Sequence, residues 1–328
     1  MNEPTATSNV MEWLLDSDPA IRWQVMQDIT GESEGAVGAE RARVAAEGWG
    51  ARLLSLQGHD GQWAGGAHFP ASFSWAAVER GEDGRMLSQP WTATSWSLSL
   101  LRVFGLDPDS SEAQSAVAQV RDRARWDHDG QRFFDGEVEP CINGLTVAIG
   151  SYFGEDVTGI VDRLLGEQMD DGGWNCEQEN GSTRGSFHTT IAVLEGLLEH
   201  QGRFGPSPAV SEARSRGEEY LLERRLLRRL SDGEVIDARW TRFFFPSWWR
   251  YDALRGLEYL ARTGFSPDER VEEALQLVEA NRLEDGRWTR AVHQGDVHFE
   301  VDDAEGEPSR WNTLRALRVL KWAGRGVT

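Results

Sequence analysis

Asp252 sits in the run WWRYDAL at 248–254, between Trp249 and an apolar stripe. A carboxyl in such surroundings has a raised pKa and suits general acid or base catalysis, although the same group can anchor Arg250 or a neighbouring helix instead. Arg239, Arg242, Arg250 and Arg310, with Tyr251, lie near two adjacent helix starts. Fixed positive charge beside backbone N–H donors would hold a diphosphate there; the alternative is that Arg239 and Arg242 pair with Asp232 and Asp237. Paired carboxylates are a second resource. Asp252 with Glu139, or with Asp302 or Asp303, would serve a glycosidase if two of them faced each other across a sugar at about 5–10 Å. The two cysteines, Cys141 and Cys176, are too few for a secreted disulfide scaffold and are free thiols or ligands. No Ser-His-Asp order, phosphate-cradling glycine loop or dinucleotide fingerprint is present. The basic run 224–229 lies beside Glu218, Glu219 and Glu223 on one helix, which reads as a salt-bridged face.

These groups are distant in sequence, so a repeat must bring them together. The strings LQGHDGQW (56–63), WDHDGQRFF (126–134), QMDDGGW (168–174), LSDGEVI (230–236) and LEDGRW (283–288) repeat one turn grammar at intervals of roughly 40 to 70 residues. Apolar spacing between the turns predicts helices in alternating pairs: 9–15 with 19–29, 38–56 with 89–104, 111–125 with 139–153, 157–169 with 186–200, 209–230 with 246–262, and 267–282 with 308–322. The first of each pair is polar on much of its surface and the second is richer in small and apolar residues. The expectation is an all-α fold, an (α/α)6 toroid of six outer/inner helix pairs, with a long loop at 58–88 that would cap one mouth. Pro19, Pro90, Pro140, Pro246 and Pro308 sit at or near the second helices' first turns. Aligning the stripes behind them puts Trp23, Trp91, Cys141, His188, Tyr251 and Trp311 at one level, as a ring around one mouth of a central cavity. Any single aromatic there is equally a packing residue between inner and outer helices.

The 328 residues show no Pro/Ser-rich linker or shift of composition, which favours one domain over 1–328. A net charge of −20 argues against general nucleic-acid binding and against an anionic-membrane partner. No apolar run reaches the length of an integral membrane segment, and the N-terminus lacks a signal pattern, so a cytoplasmic protein is expected. The 15 tryptophans are the informative excess, because indoles are costly to expose and useful for lining a cavity.

The paired helices and QxxDGxW-type turns, best seen in QMDDGGW at 168–174 and LEDGRW at 283–288, resemble the squalene cyclase and protein prenyltransferase superfamily of isoprenoid-handling toroids. The resemblance covers nearly the whole chain and implies that Trp63, Trp174 and Trp288 staple outer helices to their neighbours. Class II terpene cyclases of that superfamily protonate an alkene from an Asp-x-Asp-Asp motif. The nearest string is Glu300-Val301-Asp302-Asp303, which departs at its first position and is separated from the next helix by Gly306 and Pro308. Protein prenyltransferases hold zinc with an Asp-x-Cys at one inner-helix start and a His at a later one. Glu139-Pro140-Cys141 and Ser186-Phe187-His188 fall in comparable places, with Cys176 as a further ligand and Glu139 as a fourth. The resemblance thus implies an enzyme with Zn2+ at Cys141, Cys176 and His188. Its cavity, lined by Trp23, Trp91, Trp248, Trp249, Tyr251 and Trp311, would take an isoprenoid or other large apolar small molecule whose carbocations the π-faces stabilise. Arg242, Arg250 and Arg310 would hold its polar end. A carbohydrate-active toroid and a non-catalytic binding toroid are the alternatives.

Overall fold

The computed structural model describes residues 6–81, 86 and 88–326; of the expected loop at 58–88, residues 82–85 and 87 lie outside that set. The chain opens with α1 (Ala6–Leu15), α2 (Pro19–Val25, continued by a π turn over Met26–Thr30), α3 (Glu34–Ala42) and α4 (Gly48–Leu54). It proceeds through α5 (Thr94–Phe104), α6 (Ser111–Arg123), α7 (Pro140–Phe153), α8 (Thr158–Gly166) and α9 (Phe187–Phe204). It ends with α10 (Pro208–Glu223), α11 (Ala253–Thr263), α12 (Glu272–Ala280) and α13 (Arg310–Trp322). Strands β1 (Trp288–Thr289) and β2 (Pro308–Ser309) form a minimal antiparallel pair. The fold is therefore mostly α-helical, as the apolar spacing predicts.

Burial separates two kinds of helix. α7 buries Ile142, Asn143, Gly144 and most of its later residues, whereas α6 buries only Ala113, Ala116, Val117 and Val120. Helix α2 packs on α5, α5 on α7, α7 on α9, α9 on α11, α11 on α13, and α13 returns to α2. Helices α4, α6, α8, α10 and α12 each pack against a member of this circuit. Buried ion pairs tie its members together: Arg255 of α11 to Glu195 of α9 at 2.7 Å, and Arg315 of α13 to Glu258 of α11 at 2.6 Å. Each guanidinium also donates to backbone carbonyls, Arg255 to Trp248 and Arg250, Arg315 to Phe244, which offsets the cost of burying the charges.

The repeated turn is one physical device used three times. The indole Nε1 of Trp63 donates to Leu53 O at 2.8 Å, that of Trp174 to Leu164 O at 2.7 Å and that of Trp288 to Val278 O at 2.7 Å. Each bond satisfies a carbonyl in the helix just ended. The backbone N–H groups of the same tryptophans donate to the hydroxyls of Thr94, Thr190 and Thr313, on α5, α9 and α13. Gln57 and Gln168 donate to the turn glycine's carbonyl and to Ala116 O on α6 and Ala213 O on α10; in the third turn Arg282 lies over the Trp288 ring instead. All three indoles are fully buried, worth roughly 4–6 kcal/mol each at about 25 cal/mol per Å2.

Several boundaries differ from the sequence reading. The expected helix at 38–56 is broken because the Asp18 carboxylate accepts from Trp49 N at 2.8 Å and caps a new helix, α4. The expected helix at 89–104 starts only at Thr94, since Gln89 N and Trp91 N donate to Gln294 O and Asp296 O. The one at 209–230 stops at Glu223, before Arg225 and Leu226 turn to positive φ. Residues 246–252 are irregular rather than helical, with Trp248 at φ 48° and Asp252 capping α11.

Helices α7 and α9 meet through glycine. A Cβ on Gly144 would lie 2.6 Å from backbone atoms of Ala192 and Val193, and one on Gly196 would lie 2.4 Å from Gly144 O. No side chain can be accommodated there without moving a backbone. Gly144→Ala is expected to destabilise the fold by about 2 kcal/mol through overpacking, read as a lower urea midpoint at unchanged m-value.

Candidate functional site

The α7–α9 crossing sets the start of α7 beside the first turn of α9 and the turn that precedes it. Glu139 occupies the N-cap position of α7 and Pro140 its first position, where the missing N–H costs nothing, so Cys141 comes next in the first turn. Trp174, pinned by Leu164 and Thr190, delivers Cys176 two residues later. Thr189 then fixes Cys176 at both ends: its hydroxyl accepts from Cys176 N at 3.4 Å and donates to the sulfur at 3.6 Å. The Cys141 thiol donates to Glu139 Oε2 at 3.4 Å. Glu139, Cys141 and Cys176 thereby present one ligand atom each within 4.8 Å of one another, the one such group among the described residues. Glu139 and Cys176 border a cleft of about 270 Å3 whose other walls include Val138, Glu167, Asn175 and Gln178.

The two sulfurs do not titrate alike. The neighbouring Cys141 thiol is the main cause that lowers Cys176 to about 7, against the opposing effect of burial, and Thr189 adds to it. The nearby Cys176 sulfur, burial and the Glu139 carboxyl together push the Cys141 thiol well above its usual range. Burial also raises the Glu139 carboxyl, with help from Glu137 and Glu177. Near neutral pH Cys176 is thus partly thiolate, while Cys141 keeps its proton. A thiolate, a thiol and a carboxylate fit a thiophilic divalent cation such as zinc, which would displace the remaining proton. In chelator-treated protein, alkylation of Cys176 by iodoacetamide should rise with pH and reach half its plateau near pH 7, because only the thiolate reacts. Thr189→Val should move that midpoint to higher pH.

His188 does not join this group. Its Nδ1 accepts from Tyr251 N at 2.8 Å, and its ring stands edge-on to Trp240 and Trp249. Consecutive residues of a helix point about 100° apart, so Thr189 faces Cys176 while His188 faces the approach to α11. The expected Cys141, Cys176 and His188 set is corrected to Glu139, Cys141 and Cys176.

The aromatic set divides. Trp91 and Trp248 stack at 5.1 Å and 7° and, with Phe245, Phe299, His293 and Arg290, line a second cleft of about 440 Å3. Trp249 donates to Gln89 Oε1 at 3.1 Å, with Arg250 over its ring. These contacts join the approaches to α5 and α11, which are not neighbours in the circuit, so the aromatic side chains fill the space between those two approaches. Trp23, Trp249, Tyr251 and Trp311 do not line that cleft. Trp23 donates to Phe104 O, Tyr251 to Leu226 O, and Trp311 packs between Phe245 and Phe104. His293 stacks on Phe244 at 4.1 Å, its Nε2 without a hydrogen-bond partner among the described residues, and burial with nearby Arg250 pushes its pKa down to about 2.

Apart from Glu139, the carboxylates singled out in the sequence are committed to the fold, and so are Arg239, Arg242 and Arg310. Asp252 is buried and accepts from Phe244 N and Arg255 N; burial raises its pKa, but both oxygens serve backbone donors. Asp302 accepts from Ser309, Arg310 N and Trp311 N, holding the start of α13, and Asp303 pairs with Arg310 at 3.5 Å. These roles leave no unengaged facing pair, among the described residues singled out here, of the kind a glycosidase uses. Arg242 pairs with Glu305, Arg239 with Asp237, and Arg310 lies over Trp13. Sequence reasoning missed Thr189 and His293. A threonine directly after Ser-Phe-His carries no signal of its own, whereas a histidine in a polar loop at 288–309 was there to be noticed.

Compared with known proteins, the chain matches no protein-family model and no curated protein.

Proposed function

We propose that this chain is a metal-assisted enzyme of the terpenoid cyclase and prenyltransferase kind. It would be a single α/α toroid of six outer/inner helix pairs that takes an isoprenoid or other large apolar small molecule. The observation that carries the reading is the convergence of Glu139, Cys141 and Cys176 at the start of an inner helix. Zinc bound there would supply Lewis acidity to a substrate atom in the open fourth position. Thr189 orients Cys176 for that role, and Glu139 would supply the third ligand. The closed circuit from α2 through α13 and back supports the toroid, and the 440 Å3 cleft walled by Trp91 and Trp248 supports an apolar substrate. A line of contacts joins the two regions: His188, next to Thr189, meets Trp249, next to Trp248.

The test is to purify the protein without chelator, measure bound metals, and incubate it with prenyl diphosphates and squalene-like polyenes. About one zinc per chain and saturable binding of one of these compounds are expected. Protein that stays metal-free after zinc loading and binds none of them would end this reading.

A further inference from the structure

We propose that Cys141 and Cys176 form a redox modification site, in which a peroxide converts the two thiols into an intramolecular disulfide. The inference stands on the two sulfurs alone and does not need the metal. They are the only cysteines of the chain, so each has a single intrachain partner. Their Sγ atoms already lie within 4.8 Å, and neither residue is fully buried. Closing to a bond of about 2.05 Å requires one side to move. Cys141 is held in the rigid first turn of α7, while Cys176 begins a loop whose residues 177–181 are exposed and held by local turn hydrogen bonds. The loop is the side that yields. The 270 Å3 cleft bordered by Cys176 gives a small oxidant access to its sulfur.

The chemistry balances with hydrogen peroxide as oxidant. The Cys176 sulfur takes one peroxide oxygen, the O–O bond breaks, and water leaves behind a sulfenic acid. The Cys141 sulfur then forms the S–S bond, displacing that oxygen as a second water with the proton of its own thiol. Two thiols lose two electrons and one peroxide becomes two waters. A small dithiol reverses the change. The oxidised pair has no sulfur left to bind a metal, so disulfide and zinc exclude each other.

The experiment treats full-length, chelator-stripped protein with hydrogen peroxide, then counts free thiols, weighs the intact chain and maps linked peptides. The expected result is a fall from two free thiols per chain to none, loss of two hydrogens in mass, and a Cys141–Cys176 peptide that a dithiol releases. C176S and C141S should each give no linked peptide within one chain. Thiols that persist, separate sulfinic acids or disulfides only between chains would overturn the proposal. A parallel arm loads zinc first. Slowed oxidation is expected; a disulfide formed equally fast with zinc counts against the metal reading alone, and none formed without zinc counts against this inference alone.

Discussion

Cys176→Ser is expected to weaken zinc binding about a thousandfold. Structural zinc sites contribute roughly 10–16 kcal/mol, and losing one of three protein ligands forfeits about 4 kcal/mol of it, since a hydroxyl stays protonated where a thiolate would bind. Cys141→Ser should cost a similar amount. Glu139→Gln should cost less, because the amide oxygen can still coordinate but brings no charge to the site. Competition against a chromophoric chelator reads all three. Equal affinities in the wild type and both serine variants would show that the metal, if bound, sits elsewhere. His188→Ala supplies the contrast: its Nδ1 is engaged by Tyr251 N, so zinc affinity should stay within a few fold of the wild type.

Trp174→Ala should destabilise the protein by about 4 kcal/mol, a large part of the roughly 5–15 kcal/mol by which folded domains persist. The indole is fully buried, and its loss also strands Leu164 O, the carbonyl that its N–H satisfies. Trp174→Phe keeps most of the packing and should cost about 1–2 kcal/mol. Urea unfolding separates the two. A loss below about 1 kcal/mol for the alanine variant would mean that the Trp174 indole does not hold the turn to α8. Because Trp174 also fixes the entry to Cys176, the phenylalanine variant should hold zinc less tightly than the wild type while remaining folded.

Three of the turns, at Trp63, Trp174 and Trp288, were legible in the sequence because each sets an acid, a glycine and a tryptophan at one spacing, and those residue types have few other reasons to recur together. The helical class was legible for the same reason that periodicity works: one buried face repeats every 3.6 residues. What failed was direction and register. Cys141 and Cys176 could be marked as ligands from their type, but whether His188 or Thr189 faces them depends on how α9 is rotated against α7, and Gly144 and Gly196 fix that from a distance. The ring of aligned residues assumed that each inner helix begins at its proline. Pro19 and Pro140 do begin helices, but Trp91 and Tyr251 precede α5 and α11, because strand-like contacts to 294–296 and the Asp252 cap delay both helices. Trp248 at positive φ has no sequence signature, and the Asp18 cap on Trp49 spans 31 residues. Long-range hydrogen bonds of this sort also explain why Asp252 and Asp302 read as chemistry and serve as caps.

X-ray absorption at the zinc edge of loaded, reduced protein is the sharpest test of the Glu139, Cys141 and Cys176 site. A first shell with two sulfur scatterers at about 2.3 Å and oxygen or nitrogen at about 2.0–2.2 Å is predicted. A shell of oxygen and nitrogen alone, or zinc that washes away, would contradict it.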